Sequence, residues 1–279
     1  MEYLGESKPV NFIEPLVSVC VPTFQHEKFI EECLASILNQ KTDFPFEILI
    51  GEDESPDRTR EICKKIALGN QDKIRLFLRK DSKKIKLFGK TAGRGNQLGL
   101  YGSARGKYLA FCDGDDFWLD PLKLQKQVDA LESYPEAYMC ITNYSIGNNE
   151  GEVKIPQGNK IFTKKEHKKM SYFGHVSCWL VRNRMNLLLK NRIIEKPLPL
   201  DAILFAFYKQ MGDIFYLSDI TSVYRYNPNG LYLSQTNKNK HLVNISNAWY
   251  KFRYIDQDFT HFFRSFSYEL KRYFAHLIN

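Results

Sequence analysis

Residues 108–118 read YLAFCDGDDFW. An apolar run stops at three carboxylates within four positions, Asp113, Asp115 and Asp116, with Phe117 and Trp118 behind them. A short continuous apolar run of this kind predicts a strand buried on both faces, as in parallel sheets flanked by helices. Such sheets bind their ligands beyond the carboxyl ends of the strands. The same pattern recurs upstream. LVSVCVPTF (16–24) is a strand ending at Thr23, FEILIGEDES (46–55) a strand ending at Glu52 and Asp53, and IRLFLR (74–79) a third. The polar ends of the strands thus collect on one edge of the sheet.

Helical patterns separate these strands. In EKFIEECLASILNQ (27–40), Phe29, Ile30, Cys33, Leu34, Ile37 and Leu38 recur at helical spacing. SPDRTREICKKIA (55–67) predicts a helix with Ser55 as N-cap and Pro56 at its first position. GRGNQLGLYGSARG (93–106) reads as a loop leading into a helix that ends at Gly106, and PLKLQKQVDALESY (121–134) as a helix before the strand AYMCITNYSI (137–146). Strand and helix alternate over roughly the first 145 residues, which predicts an α/β, Rossmann-like, mostly parallel sheet with helices on both faces.

The second half is less regular. HVSCWLVR (175–182) is strand-like, PLDAILFAFYKQMG (199–212) a helix stopped by Gly212, and DIFYLSDITSVYRY (213–226) one or two strands. From His241 onward the spacing is helical, with Phe259, Phe262, Phe263, Phe266, Leu270, Tyr273, Phe274 and Leu277 along one face. The expected division is a domain over 1–235, split into halves 1–145 and 146–235, and a C-terminal helical appendage over 236–279.

The 279 residues contain 43% hydrophobic and 26% charged residues, ordinary for a soluble globular chain. No run is long and apolar enough to span a bilayer, and the N-terminal MEYLGESKPVNF lacks the layout of a secretion signal. Cys20, Cys33, Cys63, Cys112, Cys140 and Cys178 are scattered, with no CxxC pair. Three of them sit in apolar strand-like runs and read as reduced, buried thiols, which with the lack of a disulfide framework predicts a cytoplasmic protein. The net charge of +8 is uneven: residues 1–150 hold 20 Lys/Arg against 23 Asp/Glu, residues 151–279 hold 20 against 9. The basic half either meets something anionic or is simply solvated.

Three neighbouring carboxylates repel one another unless a cation sits among them. Mg²⁺ or Mn²⁺ would suit their oxygens and could carry a diphosphate. The simpler reading of DGDD is a solvated turn, but the buried run in front of it anchors that turn to a sheet. No GxxxxGK[ST] motif is present, so a P-loop is excluded. EDESPD after the second strand offers further acids for a base or ribose, or mere helix capping by Ser55 and Asp57.

VSVCVPTFQHEKFIEECLASILNQ, FEILIGEDESPDRT, ARGKYLAFCDGDDFW and DPLKLQKQVDAL, in that order, together resemble the family 2 glycosyltransferases of GT-A fold. The resemblance implies an inverting transfer of a sugar from a nucleotide diphosphate donor. It implies that Pro22, Thr23 and Phe24 line the base, that Glu52 or Asp53 contacts base and ribose, and that Arg94 or Arg105 contacts the donor. Asp113 and Asp115 match the DxD motif, Asp113 facing ribose or metal and Asp115 holding Mn²⁺ or Mg²⁺, with Asp116 in support. Asp201, before an amphipathic helix, is the implied base; as a plain residue it would be a helix cap. His175 and Trp179 would face the acceptor. Asn227 stands where the family often has a metal-binding histidine.

The implied partners are a nucleotide-sugar donor, a UDP-sugar first, and a glycan or lipid-linked acceptor in surface polysaccharide or glycoconjugate synthesis. Two alternatives are a metal-dependent nucleotidyltransferase, disfavoured because PTFQHEKF has no Gly-rich basic loop, and a non-catalytic basic module that binds a membrane or nucleic acid. Nucleic acid is disfavoured because the acids would repel its backbone. The tail would pack on the domain, pair with a second copy as a homodimer, or lie peripherally on the inner face of the membrane.

Overall fold

The computed structural model describes residues 2–3, 13–80, 84–87, 90–147, 151–152, 158–167, 174–225, 227 and 236–278. Strands β1 (Val17–Thr23), β2 (Phe46–Glu52), β3 (Ile74–Leu78) and β4 (Tyr108–Phe111) run parallel, in the spatial order β3-β2-β1-β4. Helices α1 (Ile30–Leu38), α2 (Thr59–Gly69) and α3 (Arg94–Ser103) connect them. The two-residue strand β5 (Phe117–Trp118) and helix α4 (Lys123–Ser133) then lead to β6 (Ala137–Ile146). The sheet continues through β7 (Trp179–Arg182), antiparallel to both β4 and β6, then β6, then β8 (Asp213–Tyr224), parallel to β6. Helix α5 (Leu200–Met211) precedes β8. Short strands at Glu2–Tyr3 and Lys160–Phe162 close the two outer edges.

Every residue of β2 is buried, because helices cover both sheet faces. Val17, Val19, Val21, Ile48 and Ile50 meet Ile30, Cys33, Leu34 and Ile37 of α1 together with Leu124, Val128 and Leu131 of α4. Cys20, Leu49, Leu109 and Phe111 point the other way, toward Leu100, Tyr101, Ile203, Leu204 and Phe205. All six cysteines are buried and free. The chain steps outward from β1 to β3 and then returns to β4 on the far side of β1. That reversal opens a crevice between the carboxyl ends of β1 and β4, where open α/β sheets bind ligands.

Three local expectations are corrected. Helix α2 begins at Thr59 rather than at Pro56, because Asp57 accepts from the Thr59 amide while Ser55 accepts from the Gln25 amide. Helix α3 ends at Ser103, and Gly106 instead enters β4, where a Cβ would lie 2.6 Å from the Ser18 nitrogen. The tail is two helices, α6 (Asn237–Lys251) and α7 (Phe259–Ile278), folded into a hairpin. Between them the chain makes a π turn over Phe252–Asp256, then reverses at Gln257, whose φ of 50° is left-handed. The side chain of Leu277 and residues 228–235 lie outside the described residues.

Candidate active site

The crevice is built from the ends of β1, β2, β4 and β8. Gln25 and Glu54, just past β1 and β2, have φ of 56° and 61°, a region that side chains with a Cβ rarely adopt. Such strain persists only where the surroundings enforce it, and it clusters at functional sites. Gly114 lies between the acids because a Cβ there would sit 2.7 Å from both His26 Nδ1 and Thr23 Oγ1. Glycine therefore lets the acidic turn close onto β1.

The three acids are held differently. Asp116 is a brace: its Oδ2 accepts from the Ser177 hydroxyl at 2.7 Å and its Oδ1 from the Arg225 amide at 3.1 Å. Asp115 stands on the open side, its side chain 21% exposed against 1% for Asp116. The Asn227 amide donates to Asp115 Oδ2 at 2.9 Å, and His26 Nε2 lies 3.7 Å from the same oxygen. Burial, then Asp115 and Asp201, push the Asp113 pKa up to about 8. Burial, then Asp115 and Asp113, hold Asp116 well above the usual carboxylate range.

His175 Nδ1 is 3.2 Å from Asp116 Oδ2 and accepts from the Ser177 amide, so the ring proton belongs on Nε2. Burial takes the His175 pKa down to about 4, so the ring is neutral at physiological pH. It packs 4.5 Å from Tyr224. Ligand atoms of Asp113, Asp116 and His175 all lie within 4.8 Å of one another, with Asp115 beside them. This group differs from the Asp113–Asp115 pair expected from the sequence. Burial and then the Asp115 charge raise Asp113, and crowded oxygen donors of this kind suit a hard divalent ion, which would relieve the repulsion. The residues present therefore fit Mn²⁺ or Mg²⁺.

Thr23 is buried, Pro22 half-buried and Phe24 exposed at the end of β1. Glu52 is fully buried and turned into the fold: Oε1 accepts from the Ser55 amide at 2.6 Å and Oε2 from Arg60 Nε. Asp53 faces Gly93, where a Cβ would lie 2.3 Å from its Oδ2. Arg79, at the end of β3, is electrostatically coupled to Asp53, and its buried Nε and Nη2 find no hydrogen-bond partner among the described residues. Arg79 and His26 escaped the sequence reading. Their signal was only their position one to three residues past a strand end.

Asp201 sits in the first turn of α5, where a carboxylate suits the helix dipole, and its Oδ1 accepts from the Ala202 amide at 2.7 Å. Its charge is felt by Asp113, Tyr101 and Arg94. Lys251, the last residue of α6, also senses Asp201, so the hairpin reaches this wall.

Three expected site residues lie elsewhere. Arg94 donates to the carbonyls of Ile194 (2.8 Å) and Leu198, bracing the segment that leads to Asp201. Burial lowers its pKa to about 10. Arg105 binds Glu47 Oε2 at 2.6 Å, at the amino-terminal end of β2 on the opposite sheet edge. Trp179 is fully buried, with its ring 5.8 Å from Phe205, and is a core residue. Arg105 precedes β4 and so lies at the amino-terminal side of the sheet, and the Trp179 side chain points into the core.

The sequence model of glycosyl transferase family 2 matches residues 18–187. The chain is 31% identical over 145 residues to the Escherichia coli UDP-Glc:alpha-D-GlcNAc-diphosphoundecaprenol beta-1,3-glucosyltransferase WfgD, covering 51% of this chain and 52% of that protein. It superposes on Staphylococcus aureus TarS 1-349 in complex with UDP-GlcNAc with a TM-score of 0.64 and 21% identity, covering 93% of this chain and 72% of that one. The mannosyltransferase PcManGT of Pyrobaculum calidifontis, in complex with GDP-Man and Mn2+, superposes with a TM-score of 0.59 and 15% identity, covering 95% and 72%. The chain spans 34% to 63% of the length of curated relatives it matches. With the doubly wound sheet and the acids at its switch point, the match over residues 18–187 shows that the chain belongs to glycosyl transferase family 2.

Proposed function

We propose that this chain transfers a sugar, with inversion, from a UDP-sugar to a hydroxyl of a glycan or lipid-linked acceptor, in surface polysaccharide or glycoconjugate synthesis. One observation carries the reading: carboxylates crowd together at the switch point of the sheet, where the ligand atoms of Asp113, Asp116 and His175 gather, and Asp113 is electrostatically coupled to Asp115 and to Asp201 at the start of α5. WfgD, whose name gives a UDP-glucose donor and a diphosphoundecaprenol acceptor, supports the substrate classes. Residues 1–145 serve the donor and 146–235 the acceptor.

Phe24 lines the base, and Asp53 with Arg79 reads its polar edge, since Glu52 is committed to Ser55 and Arg60. Asp113 and Asp115 would hold Mn²⁺ or Mg²⁺, with Asp116 and His175, whose ligand atoms gather with Asp113, as the further candidates. When bound, the ion neutralises the charge that develops on the departing diphosphate. Asp201 takes the proton of the acceptor hydroxyl, and His175 lines the acceptor side beside Tyr224.

Consumption of a panel of nucleotide sugars, with Mn²⁺, with Mg²⁺ and in excess EDTA, tests this. Turnover of a UDP-sugar that requires the metal and is lost in Asp115→Ala is expected. Full turnover in excess EDTA would remove the metal, and consumption of no nucleotide sugar under any condition would overturn the reading.

A further inference from the structure

The C-terminal hairpin exposes side chains that a solvated surface avoids. Phe259 is 65% exposed, Phe263 60%, Phe274 52% and Trp249 48%. They are not scattered. The Trp249 ring lies 5.7 Å from Phe262, Phe252 stacks on Phe262 at 5.0 Å, and Phe259 stacks on Phe263 at 6.2 Å. One aromatic surface therefore runs from the end of α6 across the turn and along α7. Large contiguous apolar patches mark interaction sites.

The charge beside this surface selects its partner. Arg264 and Lys271 are exposed on α7 and flank the aromatic stripe, whereas Arg272 lies on the far side of the helix, its Nη1 donating to the Tyr268 hydroxyl. The acid of that helix, Glu269, is turned inward, with Oε2 2.6 Å from His241 Nδ1 and Oε1 accepting from Asn244 at 3.2 Å. The hairpin's other acids, Asp256 and Asp258, stand in the turn, so two α7 faces laid together would bring Arg264 and Lys271 against their like. An anionic lipid surface instead offers hydrocarbon to the rings and negative headgroups to the cations. Helix α7, at 20 residues, is about 30 Å long and lies along such a surface. Among the described residues no helix is long and apolar enough to cross a membrane.

The root of the hairpin ties this surface to the crevice. Tyr250, Tyr254 and Ile255 pack on the core shared with α5, Asn191 donates to the Tyr254 carbonyl at 3.2 Å, and Lys251 senses Asp201 at the start of α5. We propose that the aromatic, basic face of the α6–α7 hairpin docks on an anionic bilayer surface and holds the Asp201 wall close to it. Resting on the proposed transferase reading, this selects the lipid-linked acceptor over a free glycan.

Co-sedimentation of the full chain with phosphatidylglycerol-containing vesicles, against neutral phosphatidylcholine vesicles, tests the docking without any donor. Binding to the anionic vesicles at low salt, weakened by salt, is expected. Neutralising Arg264 and Lys271 together to Gln should weaken it by about fivefold per residue, on the order of 25-fold in all. Phe259→Ser with Phe263→Ser should weaken it at least tenfold while circular dichroism and the melting temperature stay unchanged. Absence of binding at low salt, or binding unaffected by both sets of substitutions, overturns the proposal. A concentration-dependent dimer in sedimentation velocity, abolished by the two Phe substitutions, would assign the face to a second copy instead. Because no sugar nucleotide is present, failure here leaves the donor assay untouched, and failure of that assay leaves vesicle binding standing.

Discussion

The sheet edge at Asp113 and the hairpin face at Phe259 break opposite rules of burial. At the edge, carboxylates are drawn into the fold: Asp116 is 1% exposed, and Asp113 is raised to about 8. On the hairpin, phenylalanines are pushed out, Phe259 to 65%. Both arrangements cost free energy in the isolated protein. On the two proposals each is relieved by a partner of its own, a cation and diphosphate at the first and a lipid surface at the second. A buried charge and a bare aromatic thus point to ligands of opposite chemistry.

The largest break in this comparison comes from Asp201→Asn. The amide retains the size of the side chain and its contact with Ala202 but cannot take a proton. Turnover should fall by about 10²–10⁴-fold, with UDP affinity unchanged by calorimetry. Loss of stability at normal specific activity would reduce Asp201 to a helix-start acid. Asp115→Ala should come next, weakening Mn²⁺-dependent UDP binding by about 10–100-fold or more, while binding in EDTA stays as in wild type. A carboxylate that must be ionised to hold the ion also makes this binding fall as pH drops below the Asp113 pKa of about 8.

Arg94→Met probes what supports the site. It strands the carbonyls of Ile194 and Leu198, so denaturant unfolding should show a loss of about 1–3 kcal/mol. Turnover should drop with donor affinity kept, because the segment leading to Asp201 loosens.

Lys123 offers a pH test away from both regions. It is fully buried, 4.6 Å from the Trp118 ring centre and bonded to Gln127 Oε1 at 2.5 Å. Burial lowers its pKa from 10.5 to about 8. Below about pH 8 folded and unfolded chains both hold the proton, and burying the ammonium costs its full amount. Between about 8 and 10.5 the folded chain sheds the proton while the unfolded chain keeps it, so this group makes stability rise with pH. Lys123→Met should remove that rise. The stability difference from wild type should change by on the order of 3 kcal/mol across the window and be flat below it. A difference independent of pH would show that the amine is solvated.

The smallest effect belongs to Phe263→Ser. A ring 60% exposed should leave stability within about ±0.5 kcal/mol of wild type. Phe205→Ala, at 2% exposure, should lose about 3–5 kcal/mol. A large loss from Phe263→Ser would mean that the hairpin face is core, and the comparison would collapse.

Much of the first half was legible in the residues alone. Strands buried on both faces read as unbroken apolar runs, and a helix with one buried face repeats at its own period. Val17–Thr23, Phe46–Glu52 and Ile30–Leu38 therefore announced themselves, as did the acids at the strand ends. Local pattern does not encode which polar groups share a space. Glu52 and Asp53 are neighbours in sequence, but only the fold turns Glu52 toward Arg60 and Asp53 toward Gly93. Arg94 and Arg105 looked alike until the structure put one under the Asp201 segment and the other at the far end of the sheet. The hairpin shows the same limit. Periodicity identified an aromatic helix face, but only packing decided that α6 covers part of it and leaves Phe259, Phe263 and Phe274 bare, because burial is a property of neighbours distant in the chain.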